Sequence, residues 1–243
     1  MKKITKVLAA IMLMTAVIMT ACNPENDPNN GNDNGGGNDS GGNGSYNGHD
    51  YVDLGLPSGT LWATCNVGTD TPEGCGDYFA WGETEPKAVY GTDNYKYYNS
   101  NGELTKYCVL GSGVLDNLIY LEPVDDAATA NWGSGWCTPS WEQWEELRTK
   151  VSSMTWTTQN EMYGWLFTGS NGNTLFLPAA GSRWAEEIGY VGGYGFYWSN
   201  QLYWEGSFYS NSTCYAYCDP QWISRKDGPR WYGFTVRPVR AAR

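Results

Sequence analysis

Residues 125–147 read DDAATANWGSGWCTPSWEQWEEL and predict two short helices joined by a Gly-rich turn. Asp125 or Asp126 can cap the first helix by accepting hydrogen bonds from its unpaired N–H groups. Gly133 can end that helix because glycine readily adopts the left-handed conformation. The first helix should therefore be about two turns long.

The second helix of this stretch has a more specific start signal. Ser140 and Gln143 stand at capping-box spacing, at which each side chain accepts a hydrogen bond from the backbone N–H of the other. An apolar stripe then follows at helical period, formed by Trp141, Trp144, Leu147 and Val151. We expect this stripe to bury against a large apolar surface.

Short strands are predicted on both sides of the helices. Segments with strand character are residues 52–54, 60–67, 78–81, 156–158, 164–168, 174–177, 198–204 and 215–217. Asn171-Gly172 is the strongest hairpin signal in the chain. Residues 82–120 have no steady period and predict irregular loops. Two helices among many short strands indicate an α+β domain.

The C-terminal segment predicts one more strand. Phe234 and Val236 alternate with Thr235 and Arg237, which is the pattern of a strand half buried on a sheet. We expect this last strand to pair near the first hairpin.

The chain begins like an exported lipoprotein. A lysine-rich start is followed by an apolar run over residues 7–19, which is too short to span a bilayer, and by Thr20-Ala21 before Cys22. We expect residues 1–21 to be a signal peptide and Cys22 to be acylated. The alternative is a plain secretory signal cleaved near Ala21, which would leave Cys22 as a free thiol.

Residues 22–48 consist almost entirely of Asn, Gly, Asp and Pro, a composition that cannot form a core. As a flexible coil of about 26 residues they would span roughly 28 Å and tether the following domain to a membrane. Residues 49–243 have the size of one domain. The formal net charge of −11 disfavours phosphate backbones, so we expect no nucleic-acid partner.

Several motifs together resemble one family. They are YVDLGLPSGTLWATCNVG at 51–68, GDYFAWGETEP at 76–86, the helical stretch at 125–147, LFLPAAG at 175–181, YWSN at 197–200 and YGFTVRPV at 232–239. As a set they are similar to the Fibrobacter succinogenes major paralogous domain of Bacteroidetes surface proteins. A more distant similarity to the formylglycine-generating-enzyme branch implies a C-type-lectin-like fold, and implies fold rather than activity.

Six cysteines follow Cys22, namely Cys65, Cys75, Cys108, Cys137, Cys214 and Cys218. In an exported chain they permit three disulfides, and sequence does not choose among 15 pairings. On one strand Cys214 and Cys218 would lie about 13 Å apart and could not bridge each other. Because they are four residues apart, both would point to the same face of the strand. The resemblance to formylglycine-generating enzymes, which are cysteine oxidases, implies a pair five residues apart that points to opposite faces.

Histidine and carboxylates restrict the possible chemistry. His49 is the only histidine, which argues against Ser-His-Asp, Cys-His and His-rich zinc sites, and we expect it to be an ordinary solvated residue. Carboxylates are densest at Glu122, Asp125 and Asp126, with a second group formed by Glu83 and Glu85. Calcium is a possible ligand of such groups, but helix capping explains one aspartate without a metal. We therefore expect no catalytic residues and no dedicated metal site.

Aromatic residues give the remaining signal, with 13 Trp and 18 Tyr in the chain. Rings stack on sugars and are frequent at protein interfaces. We expect a buried set comprising Trp62, Trp81, Trp132, Trp136, Trp144, Trp198 and Phe234. The region from Tyr190 to Tyr217 concentrates further rings among Gly, Ser and Asn, which is typical of an adaptable binding surface. The expected ligand-binding residues are Tyr203, Trp204, Phe208, Tyr209 and Trp222.

These features predict a non-catalytic lipoprotein of the outer membrane, displayed at the cell surface and held there by its lipid alone. Its expected partner is an extracellular glycan or protein. Two alternatives stay open: an accessory or tip subunit of a surface fibre, and a formylglycine-generating-like cysteine oxidase acting through Cys214 and Cys218.

Overall fold

The computed structural model describes residues 42–111, 113–205 and 208–241, without the side chains of Phe208 and Tyr209. The predicted signal peptide, the lipidation site Cys22 and most of the predicted tether lie outside these residues. No helix in the described ranges is long and apolar enough to cross a membrane.

Two α-helices form where the central stretch predicts them. Helix α1 spans Ala127–Trp132, and Asp126 caps it by accepting hydrogen bonds from the N–H groups of Ala128 and Thr129. Helix α2 spans Trp141–Lys150 and begins with the reciprocal hydrogen bonds of Ser140 and Gln143. Its apolar stripe is buried as expected, since Trp144 and Leu147 have no exposed surface.

Twelve strands are described, most of them short. Their bounds are β1 Gly44–Tyr46, β2 His49–Asp53, β3 Leu61–Ala63, β4 Ser153–Gln159, β5 Met162–Thr168, β6 Thr174–Pro178, β7 Ser182–Trp184, β8 Glu187–Gly189, β9 Gly195–Glu205, β10 Phe208–Cys218, β11 Ile223–Gly228 and β12 Val239–Arg240. Short 3₁₀ turns at Thr92–Asn94 and Pro123–Asp125 interrupt the loops.

The strands pair antiparallel in four sheets. Their orders are β1-β2-β3-β12, β4-β5-β6, β7-β8 and β11-β10-β9. Strand β12 pairs with β3, so the C-terminal segment joins the first hairpin as predicted. Antiparallel strands with two α-helices agree with an α+β class.

The sheet β9-β10-β11 separates two hydrophobic cores. Trp198 of β9 lies in the first core with Trp81, Trp136 and Phe234. Tyr197, its neighbour in sequence, points the other way into the second core, which also contains α2 and Trp62. All seven aromatic residues that were expected to be buried are at least 92% buried.

The domain begins earlier than the sequence indicates. Strand β1 lies within residues 22–48, which composition assigned to the tether, and it pairs with β2. Tyr46 is buried, and its ring lies 3.7 Å from the guanidinium carbon of Arg240. Strand pairing and the buried Tyr46 ring together fix this polar segment onto the domain.

The prediction of a half-buried strand at residues 234–237 is wrong, because Phe234 and Thr235 form isolated bridges and the last described strand is Val239–Arg240. Thr235 and Arg237 are fully buried, like the apolar residues with which they alternate. Arg237 tolerates burial because its guanidinium donates hydrogen bonds to Asn66 Oδ1 at 2.7 Å and to the Thr64 carbonyl at 2.7 Å. Thr235 donates to the Cys75 carbonyl. The alternation of polar and apolar residues did not predict burial here, because the buried polar side chains are hydrogen-bonded to other protein groups.

Candidate functional site

An open groove with aromatic walls lies between the β7-β8 hairpin and the β9-β10-β11 sheet. Its volume of about 470 Å³ falls in the range of small-molecule sites. The rings that line it include Trp184, Tyr190, Tyr194, Phe196, Tyr217 and Tyr232. We call it the aromatic groove.

One wall of the aromatic groove is the β7-β8 hairpin. Trp184 lies at the end of β7 with 65% of its surface exposed, and Tyr190, just after β8, is 64% exposed. These values are high for large apolar rings, which folding normally buries. The hairpin therefore presents two rings that contribute little to the core.

Arg183 attaches this hairpin to the rest of the domain. Its backbone N–H donates to the Gly233 carbonyl at 2.7 Å, and its carbonyl accepts from the Gly233 N–H at 2.9 Å. Its guanidinium donates to the carbonyls of Lys87 and Ala88 at 3.3 and 3.2 Å and lies 5.5 Å from the ring centre of Tyr90. The backbone and the side chain of Arg183 thus both hold this wall in place.

The floor of the groove is formed by side chains of β9 and β10 that point to one face of the sheet. Phe196 and Tyr217 are directly paired across the two strands and share one face of the sheet. Tyr194 stacks on Tyr217 with ring centres 5.7 Å apart and an interplanar angle of 21°. Burial raises the pKa of the neighbouring Tyr215 to about 12, so its hydroxyl stays neutral at physiological pH.

Tyrosine hydroxyls distinguish the groove from the core. Buried Tyr78 donates to the Ala180 carbonyl at 2.6 Å and Tyr95 donates to the Trp81 carbonyl at 2.8 Å. Tyr197, Tyr90, Tyr97 and Tyr107 are likewise hydrogen-bonded to protein groups. Within the described ranges, the groove tyrosines 190, 194, 217 and 232 show no such bond. Their hydroxyls are available to a ligand.

The groove has few charged groups. Among its described lining residues Asp227 is the one ionisable acid, and none is a lysine or an arginine. Asp227 pairs with Cys214 and therefore stands on the sheet face opposite to Tyr215. The groove therefore offers mainly aromatic rings and hydroxyl groups.

The residues expected to bind a ligand lie elsewhere. Tyr203 and Trp204 are half-buried against the second core, and the Arg225 guanidinium carbon lies 5.1 and 4.7 Å from their ring centres. Trp222 is 59% exposed at the turn between β10 and β11. None of the three lines the aromatic groove. The side chains of Phe208 and Tyr209 lie outside the described part of the chain.

The groove rings that sequence reasoning missed are Trp184 and Tyr232. Periodicity did not predict the β7-β8 hairpin, because its turn contains Ala185 in the left-handed conformation with φ of 50°. Alanine rarely adopts this conformation and carries no turn signal. The high aromatic content from Tyr190 onward was the part of the groove visible in the sequence.

Cys214 and Cys218 lie on β10 and point into the second core, on one face as predicted. Burial raises the pKa of Cys214 to about 12 and raises that of Cys218 further, so both stay protonated. A thiol acts as a nucleophile only as the thiolate. The pair is therefore not set up for chemistry at a surface.

Five of the six cysteines that follow Cys22 do not form the disulfides that the sequence permitted. Cys65, Cys75, Cys108, Cys214 and Cys218 are free in the described structure. Each is buried or half-buried, so they pack as small apolar side chains.

The carboxylates near α1 are neutralised by lysines. Asp125 Oδ1 accepts from Lys96 Nζ at 2.9 Å and Oδ2 accepts from Lys106 Nζ at 2.6 Å, while Lys106 also contacts Glu122. Burial alone would raise the pKa of Asp125, but the hydrogen bonds from Lys106, Lys96 and tyrosines outweigh it and lower the pKa well below its usual range.

Asp126 and Glu83, which the sequence also singled out, have protein partners. Asp126 is fully occupied by backbone N–H groups and by the Thr138 hydroxyl, which donates at 2.8 Å. Glu83 pairs with Lys87 at 2.8 Å. Across the described residues no three His, Cys, Asp or Glu side chains cluster as metal ligands would. Calcium binding stays a prediction without a candidate site among these groups.

His49 is not the solvated residue that its position suggested. It starts β2, and its ring stacks on Trp132 with centres 3.8 Å apart and an interplanar angle of 4°. Burial lowers its pKa, so the imidazole is neutral at physiological pH. Its role is to cover the first core.

Comparison with known proteins adds no relative. No family model matches the chain, and neither the curated proteins nor the solved structures contain a match.

Proposed function

We propose that this protein is a lipid-anchored surface lipoprotein that binds an extracellular glycan in its aromatic groove without catalysing a reaction. One observation carries the proposal. The groove exposes Trp184 and Tyr190 on a fixed wall and leaves its tyrosine hydroxyls unbonded to described protein groups. Flat apolar rings next to neutral hydroxyls match the faces and edges of sugar rings.

The anchor and the fold are part of the same proposal. Acylation at Cys22, together with the polar segment ahead of β1, would hold the domain away from the outer membrane. The motif resemblance to the major paralogous domain family supports a C-type-lectin-like arrangement. The pairing of β12 with β3 also supports it, because the last strand then returns to the first hairpin.

A fibre subunit is the second candidate, favoured by one specific feature. Trp184, Ile188, Tyr190 and Val191 are all exposed by 46% or more and follow one another along the β7-β8 hairpin. A concentration of exposed apolar side chains in one short segment favours a protein docking site. A cysteine oxidase has no comparable support, since Cys214 and Cys218 are buried and protonated.

The test is a glycan array probed with the full chain and with two variants, Trp184→Ala and Trp222→Ala. The two tryptophans have similar exposure, 65% and 59%, but only Trp184 lines the groove. We expect glycan binding that Trp184→Ala removes and Trp222→Ala preserves. The reverse pattern would place binding at the surface predicted from sequence. Repeating the array in the presence of a chelator tests whether glycan binding requires calcium.

Absence of glycan binding by the unmodified chain would overturn the proposal. A stoichiometric partner recovered from the producing cell's own envelope, and lost with Trp184→Ala, would then support the fibre subunit.

A further inference from the structure

The charges around the aromatic groove restrict the ligands it can hold. Glu187 stands directly opposite Trp184 in the β7-β8 hairpin, whereas Asp227, at the edge of the groove, stands on the sheet face opposite to Tyr215. Both side chains are solvent-exposed, as is Glu186 in the turn. An anionic ligand stacked on Trp184 would therefore approach carboxylates.

The cations on the elements that form the groove, Arg183 and Lys226, are not among its described lining residues. The Arg183 guanidinium is held by the carbonyls of Lys87, Ala88 and Glu186 at 3.2–3.3 Å. Lys226 pairs with Tyr215 on the edge strand β11, so it lies on the same sheet face, but it is exposed and does not line the groove. No lysine or arginine is among the described residues that line the groove.

The available polar groups are neutral. Hydroxyls of Tyr190, Tyr194, Tyr217 and Tyr232 can each donate one hydrogen bond and accept others, as sugar hydroxyls do. A carboxylate, sulfate or phosphate group on the ligand would lose water and gain no charged donor in return. The same groove therefore favours uncharged sugars over acidic sugars of equal size.

We propose that the aromatic groove selects neutral oligosaccharides and rejects their acidic counterparts, an inference that rests on the proposed glycan-binding function. The ligand class consists of hexose or pentose chains without carboxylate, sulfate or phosphate. Trp184 and Tyr190 would stack on the sugar faces, and the groove hydroxyls would bond to the sugar hydroxyls.

The experiment compares one oligosaccharide in three chemical forms. A neutral glucan or galactan oligosaccharide that binds on the array is oxidised at its primary hydroxyls to carboxylates, and a portion of the product is then methyl-esterified. Titration calorimetry with the full chain measures each form. We expect the acid to bind about tenfold more weakly or worse, and the ester to recover most of the affinity. The affinity of the neutral form should not change with salt.

Two variants distinguish the inference about charge from the glycan-binding function on which it rests. Trp184→Ala should weaken the neutral form about tenfold or more, whereas Lys226→Gln should leave its affinity unchanged. If the acid binds as well as or better than the neutral form, and Trp184→Ala still removes binding, the charge inference is wrong and the glycan-binding function stands. If no form binds, or binding survives Trp184→Ala, both are wrong.

Discussion

Tyrosine has two roles in this protein, and the hydroxyl group distinguishes them. Tyr78, Tyr95 and other core tyrosines donate to backbone carbonyls, which allows a polar group to be buried. The groove tyrosines 190, 194, 217 and 232 have no such bond within the described residues, and their rings line the groove. The same residue type therefore stabilises the core in one environment and is available for recognition in the other.

Asp125 is the residue whose charge contributes most clearly to stability. It is buried and bonded to Lys96, Lys106 and Tyr107. We expect Asp125→Asn to lower the free energy of unfolding by about 2–3 kcal/mol, less than for a fully buried pair because both lysines reach solvent. Urea unfolding measures the change. Asp70→Asn is the control, since Asp70 is exposed, and it should change stability by less than about 0.5 kcal/mol. Equal effects would contradict this role.

The same carboxyl makes stability depend on pH. Its pKa is lowered in the folded state from about 3.9 in the unfolded chain, so its contribution is fully present above about pH 5 and is lost as pH falls below that. The stability difference between the unmodified chain and Asp125→Asn should therefore shrink from pH 5 to pH 2. Chemical unfolding at several pH values measures it. A difference that stays constant or grows on acidification would contradict the lowered pKa.

At the scale of elements, the β7-β8 hairpin is the part that creates the groove. Strand β7 is only three residues long and pairs with Gly233 through one residue, Arg183. The chain enters this hairpin at Gly181, whose φ is 69°. A short hairpin in this position depends on the chain being able to turn sharply at its base.

Gly181 should therefore tolerate no side chain. A Cβ there would lie 2.2 Å from the Gly189 carbonyl oxygen and 2.8 Å from the Val191 nitrogen, so backbone would have to move. We expect Gly181→Ala to cost about 2–4 kcal/mol of stability and to speed hydrogen exchange in β7 and β8. The matched control is Gly192→Ala, at φ of 77° with nothing within 4 Å, which should cost about 1 kcal/mol. Similar losses for both variants would show that steric contact at the hairpin base is unimportant.

At the scale of the whole molecule, one sheet serves two purposes. Alternate residues of β9 and β10 point into the second core, as Tyr197 and Ala216 do, or toward the first core and the groove, as Phe196 and Tyr217 do. The groove floor is thus the reverse side of a packed sheet, and it should be rigid.

The reactivity of the cysteine thiols provides a test of this packing. Cys214 and Cys218 point into the second core, and burial raises the pKa of both. We expect maleimide labelling, followed by peptide mapping, to modify them slowly in the folded protein and rapidly in guanidinium. Cys75, which is only half-buried, provides an internal reference that should label faster. Fast labelling of Cys214 or Cys218 in the folded state would contradict the buried arrangement and reopen the oxidase alternative.

Local signals in the sequence were sufficient for the helices and most strands. The Asp126 cap, the box of Ser140 and Gln143, and the buried tryptophan stripe of α2 depend on neighbours a few residues apart, which sequence spacing shows directly. The high aromatic content after Tyr190 likewise indicated a region that contains several of the groove rings. The predicted residues Tyr203, Trp204 and Trp222 are outside the groove because composition does not show which rings a fold turns outward.

Only the tertiary structure decided which rings form a site. Trp184 and Tyr232 are far apart in sequence, and they meet because Arg183 bonds to Gly233 across two segments with no regular period. Burial of Thr235 and Arg237 was also decided at that level, by carbonyl groups from distant loops. Contacts of this kind depend on where remote backbone groups lie after folding, and a pattern of neighbouring residues contains no information about them.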